Sequence, residues 1–364
     1  MLTTLIGSSL DQIDTPALLV DIDTMQANMA LMAAALAERG IGWRPHAKAH
    51  KSPAIANLEL DAGAFGITCA KVSEAEVFAR AGVRDILIAN QVVGPIKTRR
   101  FANLARLADV ICAVDSMDGA RQLDAAAAEA GTTPRVVIEI DSGMGRAGTQ
   151  PGAPTVELAQ AIGELRHLRF AGLMAWEGHA CAINEADPRA TAIRTAVGQL
   201  VDTAEAVRAA GMPVDIVSCG GTGTFLNVLD IEGVTEVQAG GGIFGDGFYR
   251  ALDVPVQPAL SLMVTVTSRP APDRIIVDAG RKSVDPSNRP PEAPSLPNVA
   301  AMAFSAEHGT IHLTGPCETP RVGDRLRLHI GYSDQAVHLH EQLIAARDEC
   351  VVAIWPTETR GKLQ

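Results

Sequence analysis

Lys48 lies in a run of basic and imidazole side chains, and the residue types of this run are suited to chemistry. The run reads Arg44-Pro-His-Ala-Lys-Ala-His-Lys51. Nearby positive charge and partial burial both disfavour a lysine ammonium, and the uncharged amine is a nucleophile that forms Schiff bases with carbonyl groups. The residues alone leave two interpretations open, a reactive amine or an ordinary solvated lysine.

Two glycine-rich turns form the second set of candidates. They read Gly220-Gly-Thr-Gly-Thr224 and Gly240-Gly-Gly242, and each follows a short apolar run. Glycine lets the backbone approach a ligand closely, and successive N–H groups in such turns bind anions. Neither turn matches the P-loop or the dinucleotide-binding pattern, which argues against a nucleotide site. The turns therefore predict a phosphate site, with ligand-free tight turns as the alternative, and a phosphate beside a reactive lysine suggests pyridoxal phosphate (PLP).

Short β-rich runs, separated by Ala-rich helical segments, must position these residues. The eight runs are Gly42–Lys48, Phe65–Ala70, Asp85–Asn90, Val110–Asp115, Val136–Asp141, Phe170–Trp176, Asp215–Cys219 and Glu236–Ala239. Strands that alternate with helices form parallel sheets, and eight such units in about 250 residues are the size of a closed (β/α)8 TIM barrel. We therefore predict an α/β fold with this barrel over residues 23–253, and an open doubly wound sheet as the alternative. Polar residues follow nearly every run, which is where parallel barrels carry their catalytic groups.

The clearest predicted helix is Asp23–Arg39. Its apolar residues recur on one helical face and are Met25, Met29, Met32 and Leu36. We expect Asp23 or Thr24 to cap its start and Gly40 to supply the left-handed residue after its end. The pattern changes after about Val254, where β-branched alternation and proline-rich loops predict an all-β domain over residues 254–364.

Composition excludes several classes of protein. The 364-residue chain has a formal net charge of −11 and is 47% hydrophobic. It is acidic overall and has no long stretch of consecutive Lys and Arg residues, so we expect no nucleic-acid partner. It has no apolar stretch of roughly 18 residues and no secretory signal in Met1–Gln12, so we expect no membrane partner. The six cysteines are scattered without a C-x-x-C pair, which is typical of a reduced, cytoplasmic protein.

Several motifs together resemble one known family. They are the run from Arg44 to Lys51 with the following Ser-Pro, Asp14-Thr-Pro-Ala-Leu-Leu-Val-Asp, Thr68-Cys-Ala-Lys-Val-Ser-Glu-Ala-Glu, Asp141-Ser-Gly-Met-Gly-Arg-Ala-Gly, Glu177-Gly-His and Gly220-Gly-Thr-Gly-Thr. The pattern spans almost the whole chain and resembles the D-threonine aldolase / D-serine dehydratase family of alanine-racemase-like, fold-type III PLP enzymes. The resemblance implies a PLP barrel, a homodimer, and a C-terminal all-β domain completed by the N-terminal strand, so that residues 1–22 join 254–364.

The resemblance also implies roles for individual residues. Lys48 matches the lysine that holds PLP covalently, and His179 matches the histidine proposed to take the β-hydroxyl proton in the aldolases. Arg146 lies in the segment that lines the cofactor. The implied phosphate-binding residues are Thr222, Gly223, Thr224, Gly241 and Gly242.

The sequence departs from the family pattern at the expected metal ligands. The aldolases carry His-x-Asp and the dehydratases His-x-Cys, whereas this chain has Tyr332-Ser-Asp334. A tyrosine is a poor ligand for Mg²⁺ or Mn²⁺, but His338-x-His340 would rescue a site, because alternate residues of a strand share a face. A divalent cation (Mn²⁺ or Mg²⁺) held by Asp334 and His338 is therefore a further prediction, and a surface strand without a metal is the alternative.

The activity implied by the resemblance is that of a PLP-dependent lyase on D-3-hydroxy amino acids. Asp334 stands where the dehydratases have a cysteine, which favours retro-aldol cleavage to glycine and an aldehyde, as in D-threonine or 3-hydroxy-D-aspartate aldolases. The alternatives are a D-serine or D-3-hydroxyaspartate dehydratase, an amino-acid racemase, a non-catalytic PLP-binding protein, and a barrel enzyme without PLP that acts on a phosphorylated metabolite. An acidic substrate would need a cation, and the sequence does not rank the candidates Arg44, Arg146, Lys71 and Lys282.

Overall fold

The computed structural model describes residues 2–364, which divide into two compact units. The first, here the β unit, contains the chain up to Leu31, Ala49–Ile55 and Gly241–Arg360. The second, here the barrel unit, contains Met32–Lys48, Ala56–Gly240 and Gly361–Gln364. The domain boundaries predicted from the sequence, 22/23 and 253/254, stay a prediction.

The described chain starts its regular structure with strand β1 (Ala17–Asp21), which leads directly into helix α1 (Ile22–Glu38). The side chain of Asp21 caps this helix by accepting the backbone N–H of Thr24 at 2.8 Å, so the predicted cap at Asp23 or Thr24 was wrong. The cap lies earlier because the helix starts directly at the end of the strand. Gly40 follows the helix with a φ of +67°, in the left-handed region that was predicted. The predicted apolar face is buried, and its residues are Met25, Met29, Met32 and Leu36.

Eight parallel strands form the sheet of the barrel unit. They are β2 (Gly42–Trp43), β3 (Ile67–Cys69), β4 (Asp85–Gln91), β5 (Asp109–Val114), β6 (Arg135–Ile140), β7 (Arg169–Ala175), β8 (Ile216–Cys219) and β9 (Glu236–Val237). Their order is β2-β9-β8-β7-β6-β5-β4-β3. Helices separate successive strands. They are α2 (Pro53–Asp61), α3 (Val72–Arg80), α4 (Pro95–Leu104), α5 (Met117–Ala130), α6 (Ala153–Gly163), α7 (Ala186–Ala209) and α8 (Phe225–Val228).

Backbone hydrogen bonds join the two edges of this sheet. The carbonyl of Trp43 accepts the N–H of Phe65 at 3.1 Å, and the carbonyl of Pro45 accepts the N–H of Thr68 at 2.8 Å. An isolated parallel bridge between His46 and Thr68 continues this pairing. The predicted barrel is therefore confirmed, and the open doubly wound sheet was the wrong alternative.

A buried ion-pair cluster lies within the barrel unit. The Arg44 side chain is 1% exposed and donates to Glu236 at 2.9 and 3.0 Å, and it also donates to Asp85. The guanidinium lies 4.4 Å from the centre of the Phe65 ring. Arg44 therefore links residues of β4 and β9 to the end of β2, and this burial inside the protein removes it from the candidate substrate-binding cations.

An eight-stranded, mainly antiparallel sheet forms the β unit. Besides β1, it contains β10 (Leu260–Ala271), β11 (Arg274–Val277), β12 (Val299–Phe304), β13 (Gly309–Leu313), β14 (Arg325–His329), β15 (Gln342–Arg347) and β16 (Cys350–Pro356). The order is β12-β13-β11-β10-β1-β15-β16, with β14 on β10. Because β1 lies between β10 and β15, the prediction that the N-terminal strand completes this sheet is confirmed.

Two short helices, α9 (Gly247–Arg250) and α10 (Ser333–Val337), also belong to the β unit. The strand expected around His338 was wrong, because α10 occupies this segment and His338 is the residue at its C-terminal end. Among residues 2–364, no helix combines the length and the apolar composition that a transmembrane span needs.

Candidate active site

The predicted site residues of the barrel unit follow the carboxyl ends of its strands. Lys48 comes after β2, Arg146 after β6, His179 after β7, and the glycine-rich turn Gly220–Thr224 after β8. The carboxyl ends of parallel strands lie at one end of a barrel, so these residues share one mouth.

Lys48 lies in a single 3-10 turn, Ala47–Ala49, rather than at the end of a long strand. It is half-buried, and its backbone N–H donates to Nδ1 of His46 at 3.3 Å. Burial raises the pKa of the Cys181 thiol to about 11, and the positive charge of Lys48 opposes that rise. The Lys48 amine therefore lies within electrostatic reach of the loop that follows β7.

Glu177 ties that loop to the glycine-rich turn. Its carboxyl is fully buried, and its two oxygens accept the hydroxyl of Thr224 and, at 3.3 Å, the N–H of Gly220. Burial raises the pKa of Glu177, and these hydrogen bonds oppose the rise. Thr224 Oγ1 also accepts the N–H of Gly221 at 3.0 Å, so one carboxyl group holds both ends of the turn.

Sequence reasoning placed Glu177 in a motif after a strand but gave it no role. The available signal was a carboxyl group directly after an apolar strand, a position that only a hydrogen-bonded acid tolerates. The small residues of the turn are required by Trp176. A Cβ atom at Gly221 would lie 2.3 Å from the ring of Trp176, so a larger residue there would displace the turn.

His179 packs against the loop that follows β6. A Cβ atom at Gly143 would lie 3.0 Å from Cε1 of the His179 ring, so the imidazole lies directly on this glycine. Nδ1 of His179 is buried and has no hydrogen-bond partner among residues 2–364. The N–H groups of Gly145 and Gly143 hold the pKa of Asp141 below its ordinary value, and the charge of His179 acts in the same direction. His179 therefore has a buried ring nitrogen without a hydrogen-bond partner among the described residues, and it lies near the carboxylate of Asp141.

Arg146 pairs with a buried carboxyl on β6. Its guanidinium donates to Glu139 at 3.3 Å, and the amide of Gln91 donates to the other oxygen of Glu139 at 2.6 Å. Burial raises the pKa of Glu139. The hydrogen bond from Gln91 and the charge of Arg146 oppose this rise. The sequence placed Gln91 after the third predicted strand but gave it no role, and it did not single out Glu139, which lies near the end of β6.

The remaining candidate cations have different surroundings. Lys282 is exposed and pairs with Glu307 at 2.8 Å in the β unit. Lys71 is half-buried at the start of α3, after β3, and its backbone N–H donates to Glu74 at 3.1 Å. With Arg44 buried in the ion-pair cluster, Lys71 and Arg146 are the two candidates that follow strand ends of the barrel unit.

The predicted glycines Gly241 and Gly242 open a buried 3-10 turn, Gly241–Phe244, in the β unit. A Cβ atom at Gly241 would lie 2.5 Å from the ring of Tyr249, so this position accepts only glycine without movement. The structure thus gives a packing reason for one glycine of the turn.

The residues predicted to hold a divalent cation do not fit one. The hydroxyl of Tyr332 donates to Asp334 at 3.1 Å, while His338 is exposed and its Nδ1 lies 3.3 Å from the carbonyl oxygen of Asp334. Nε2 of His340 lies 2.7 Å from the carbonyl oxygen of Ser283. No group of three or more His, Cys, Asp or Glu side chains suited to a metal occurs in the described part of the chain.

The residues of the barrel unit, in contrast, fit PLP. A half-buried lysine provides the amine, a turn of small residues after β8 lets the backbone approach a phosphate, and the buried, unfilled nitrogen of His179 needs a partner. A parallel barrel with these groups at the carboxyl ends of its strands has the groups that a PLP-dependent enzyme needs.

Comparison with known proteins identifies the family. The profile of the alanine racemase N-terminal domain matches residues 20–247, and that of a putative serine dehydratase domain matches residues 259–346. The chain is 38% identical to a D-threonine aldolase from Arthrobacter sp. over 98% of this chain and 95% of the relative. It is 31% identical to a 3-hydroxy-D-aspartate aldolase from Paracoccus denitrificans, over 98% of this chain and 94% of the relative.

The structural comparison agrees. The D-threonine aldolase from Filomicrobium marinum superposes with a TM-score of 0.95 at 34% identity, over 99% of both chains. The chain therefore belongs to the family of alanine-racemase-type enzymes that contains these aldolases. It is a lyase, and PLP is the cofactor that this membership assigns to it.

Proposed function

We propose that the protein cleaves D-3-hydroxy amino acids to glycine and an aldehyde. The observation that carries the proposal is His179, which packs on Gly143 with a buried nitrogen that no described residue fills. A retro-aldol reaction needs a base for the β-hydroxyl proton, and a positioned imidazole is the commonest such base in enzymes. The aldolases from Arthrobacter and Paracoccus support this choice of reaction.

Each site residue has one role in this proposal. Lys48 holds the cofactor through its amine, Thr222, Gly223, Thr224, Gly241 and Gly242 receive its phosphate, and Arg146 lines it. PLP, when bound, supplies a sink for the electron pair left on Cα. His179 takes the hydroxyl proton on a ring nitrogen, the Cα–Cβ bond breaks, the hydroxyl oxygen becomes the aldehyde oxygen, and Cα gains a proton to give glycine.

The names of the relatives support D-threonine and 3-hydroxy-D-aspartate as the first substrates to test. A dehydratase that acts on D-serine or D-3-hydroxyaspartate is the second candidate, because the C-terminal segment matches a putative serine dehydratase domain. The proposed function contains no divalent cation, because Tyr332 is a phenol hydrogen-bonded to Asp334, His338 is exposed, and Nε2 of His340 lies 2.7 Å from the carbonyl oxygen of Ser283.

We also propose that the protein works as a homodimer in the cytoplasm. None of the six cysteines forms a disulfide in the structure, which supports a reducing compartment. Light scattering after size-exclusion chromatography tests the dimer, and fractionation of cells that express the protein tests the location.

The experiment that tests the activity is incubation of the PLP-loaded protein with four D-amino acids. These are D-threonine, 3-hydroxy-D-aspartate, D-serine and D-alanine, each with and without Mn²⁺. Glycine with an aldehyde supports the proposal. A 2-oxo acid with ammonia would identify a dehydratase, and formation of the L-enantiomer would identify a racemase.

A further inference from the structure

A hydrogen-bonded phenol and carboxyl group occupy the segment where the family resemblance implies a metal. The Tyr332 hydroxyl donates to Oδ2 of Asp334 at 3.1 Å, and both side chains are half-buried. The Tyr332 ring lies 5.1 Å from the ring of Phe248 and 6.1 Å from that of Tyr249, measured between centroids. Tyr332 is thus packed among aromatic rings of its own unit and is not a loose surface side chain.

The neighbouring residue fixes the position of this pair. Ser333 donates both its backbone N–H and its hydroxyl to Asp246, each at 2.7 Å. Asp246 is 2% exposed and also caps α9 by accepting the N–H of Tyr249 at 3.1 Å. The short helix α10 is therefore tied to α9, and Tyr332 and Asp334 project from a rigid support.

The chemistry of the pair does not suit a hard cation. Mg²⁺ and Mn²⁺ prefer charged or carbonyl oxygens as ligands. A phenol has an ordinary pKa of about 10, so it is protonated and uncharged at neutral pH. One lone pair of the Asp334 carboxylate is already used by the Tyr332 hydroxyl.

We infer that Tyr332 removes the divalent-cation site from this segment, so that the wild-type chain holds no cation at Tyr332 and Asp334 and turns over without one. The statement about turnover rests on the proposed lyase function. The statement about metal binding does not, because it is measured without a reaction.

The binding test uses the PLP-loaded protein after dialysis against EDTA. Equilibrium dialysis with Mn²⁺, followed by metal counting by mass spectrometry, compares the wild type with Tyr332→His and Tyr332→Phe. We expect no stoichiometric Mn²⁺ in the wild type or in Tyr332→Phe. We expect one Mn²⁺ per chain in Tyr332→His, lost again when Asp334→Asn is added. Circular dichroism and the visible spectrum of bound PLP verify that each variant is folded and loaded.

Two results would overturn the inference. One is stoichiometric Mn²⁺ in the wild type that Asp334→Asn removes, and the other is a folded Tyr332→His variant that binds no metal. Turnover gives a second readout. The wild-type rate should be the same in EDTA and in Mn²⁺, and a rate that rises severalfold with Mn²⁺ would contradict the inference. If the wild type is inactive on all four D-amino acids, the proposed function is wrong. The dialysis experiment then still tests whether the wild type binds Mn²⁺.

Discussion

The hydroxyl of Thr224 donates to the buried carboxyl of Glu177, so a residue after β7 sets the shape of the turn after β8. A carboxylate close to a phosphate would repel it. The raised pKa of Glu177 favours the neutral acid, which a phosphate tolerates. Glu177 therefore positions the Gly220–Thr224 turn, to which we assign the phosphate of the cofactor.

This relationship predicts a selective loss of phosphate recognition. Glu177→Met should weaken the binding of PLP about ten- to a hundredfold, because the buried hydroxyl of Thr224 and the N–H of Gly220 lose their acceptor. The affinity for pyridoxal, which lacks the phosphate, should change little. Fluorescence titration of the apoprotein with both compounds measures the ratio of the two affinities. Glu177→Gln keeps the side-chain volume and one acceptor, so it should lose less. Equal losses for PLP and pyridoxal would show a general structural defect instead.

The second prediction concerns His179 as the base that takes the β-hydroxyl proton of the substrate. His179→Ala should lower kcat for retro-aldol cleavage by about 10²–10⁴, the usual contribution of a general base, while PLP stays bound. Steady-state assays for the aldehyde, with the absorbance of bound PLP as a loading check, measure this. His167→Ala is the matched control, because His167 precedes β7 whereas His179 follows it. Full activity of His179→Ala would remove His179 from this role.

The third prediction concerns the buried ion-pair cluster. Arg44→Met should reduce the free energy of unfolding by about 3–5 kcal/mol, because it leaves the carboxylate of Glu236 buried without its partner. Arg39→Met is the control, since the pair of Arg39 with Asp230 is exposed and worth about 1 kcal/mol or less. Urea denaturation followed by circular dichroism measures both values. A loss at Arg44 as small as that at Arg39 would contradict the importance of this cluster.

Much of the barrel could be predicted from the sequence, because a parallel strand buried on both faces is a nearly continuous apolar run. The predicted run Asp85–Asn90 became β4 at Asp85–Gln91, and Val136–Asp141 became β6 at Arg135–Ile140. The first predicted run, Gly42–Lys48, was too long. Its strand ends at Trp43, because Pro45 cannot donate to a ladder and the chain turns at Ala47–Ala49.

Contacts between residues that are far apart along the chain were harder to predict from the sequence. Arg44 looked like a functional cation, since it lies in the same run as Lys48 and its partners Glu236 and Asp85 are far away in sequence. Glu177 was overlooked for the same reason, because its partners follow a different strand. His338 was assigned to a strand from its alternation with His340, and a period of two over three residues does not distinguish a strand from a helix end.

Chemical trapping tests whether PLP is attached covalently to Lys48, as we propose. Reduction of the PLP-loaded protein with borohydride, followed by proteolysis and mass spectrometry, locates the lysine that carries the pyridoxyl group. We expect the label on Lys48 and none on Lys51, three residues further along the chain. A label on Lys51 or elsewhere, or a protein that takes up no PLP, would rule out this attachment.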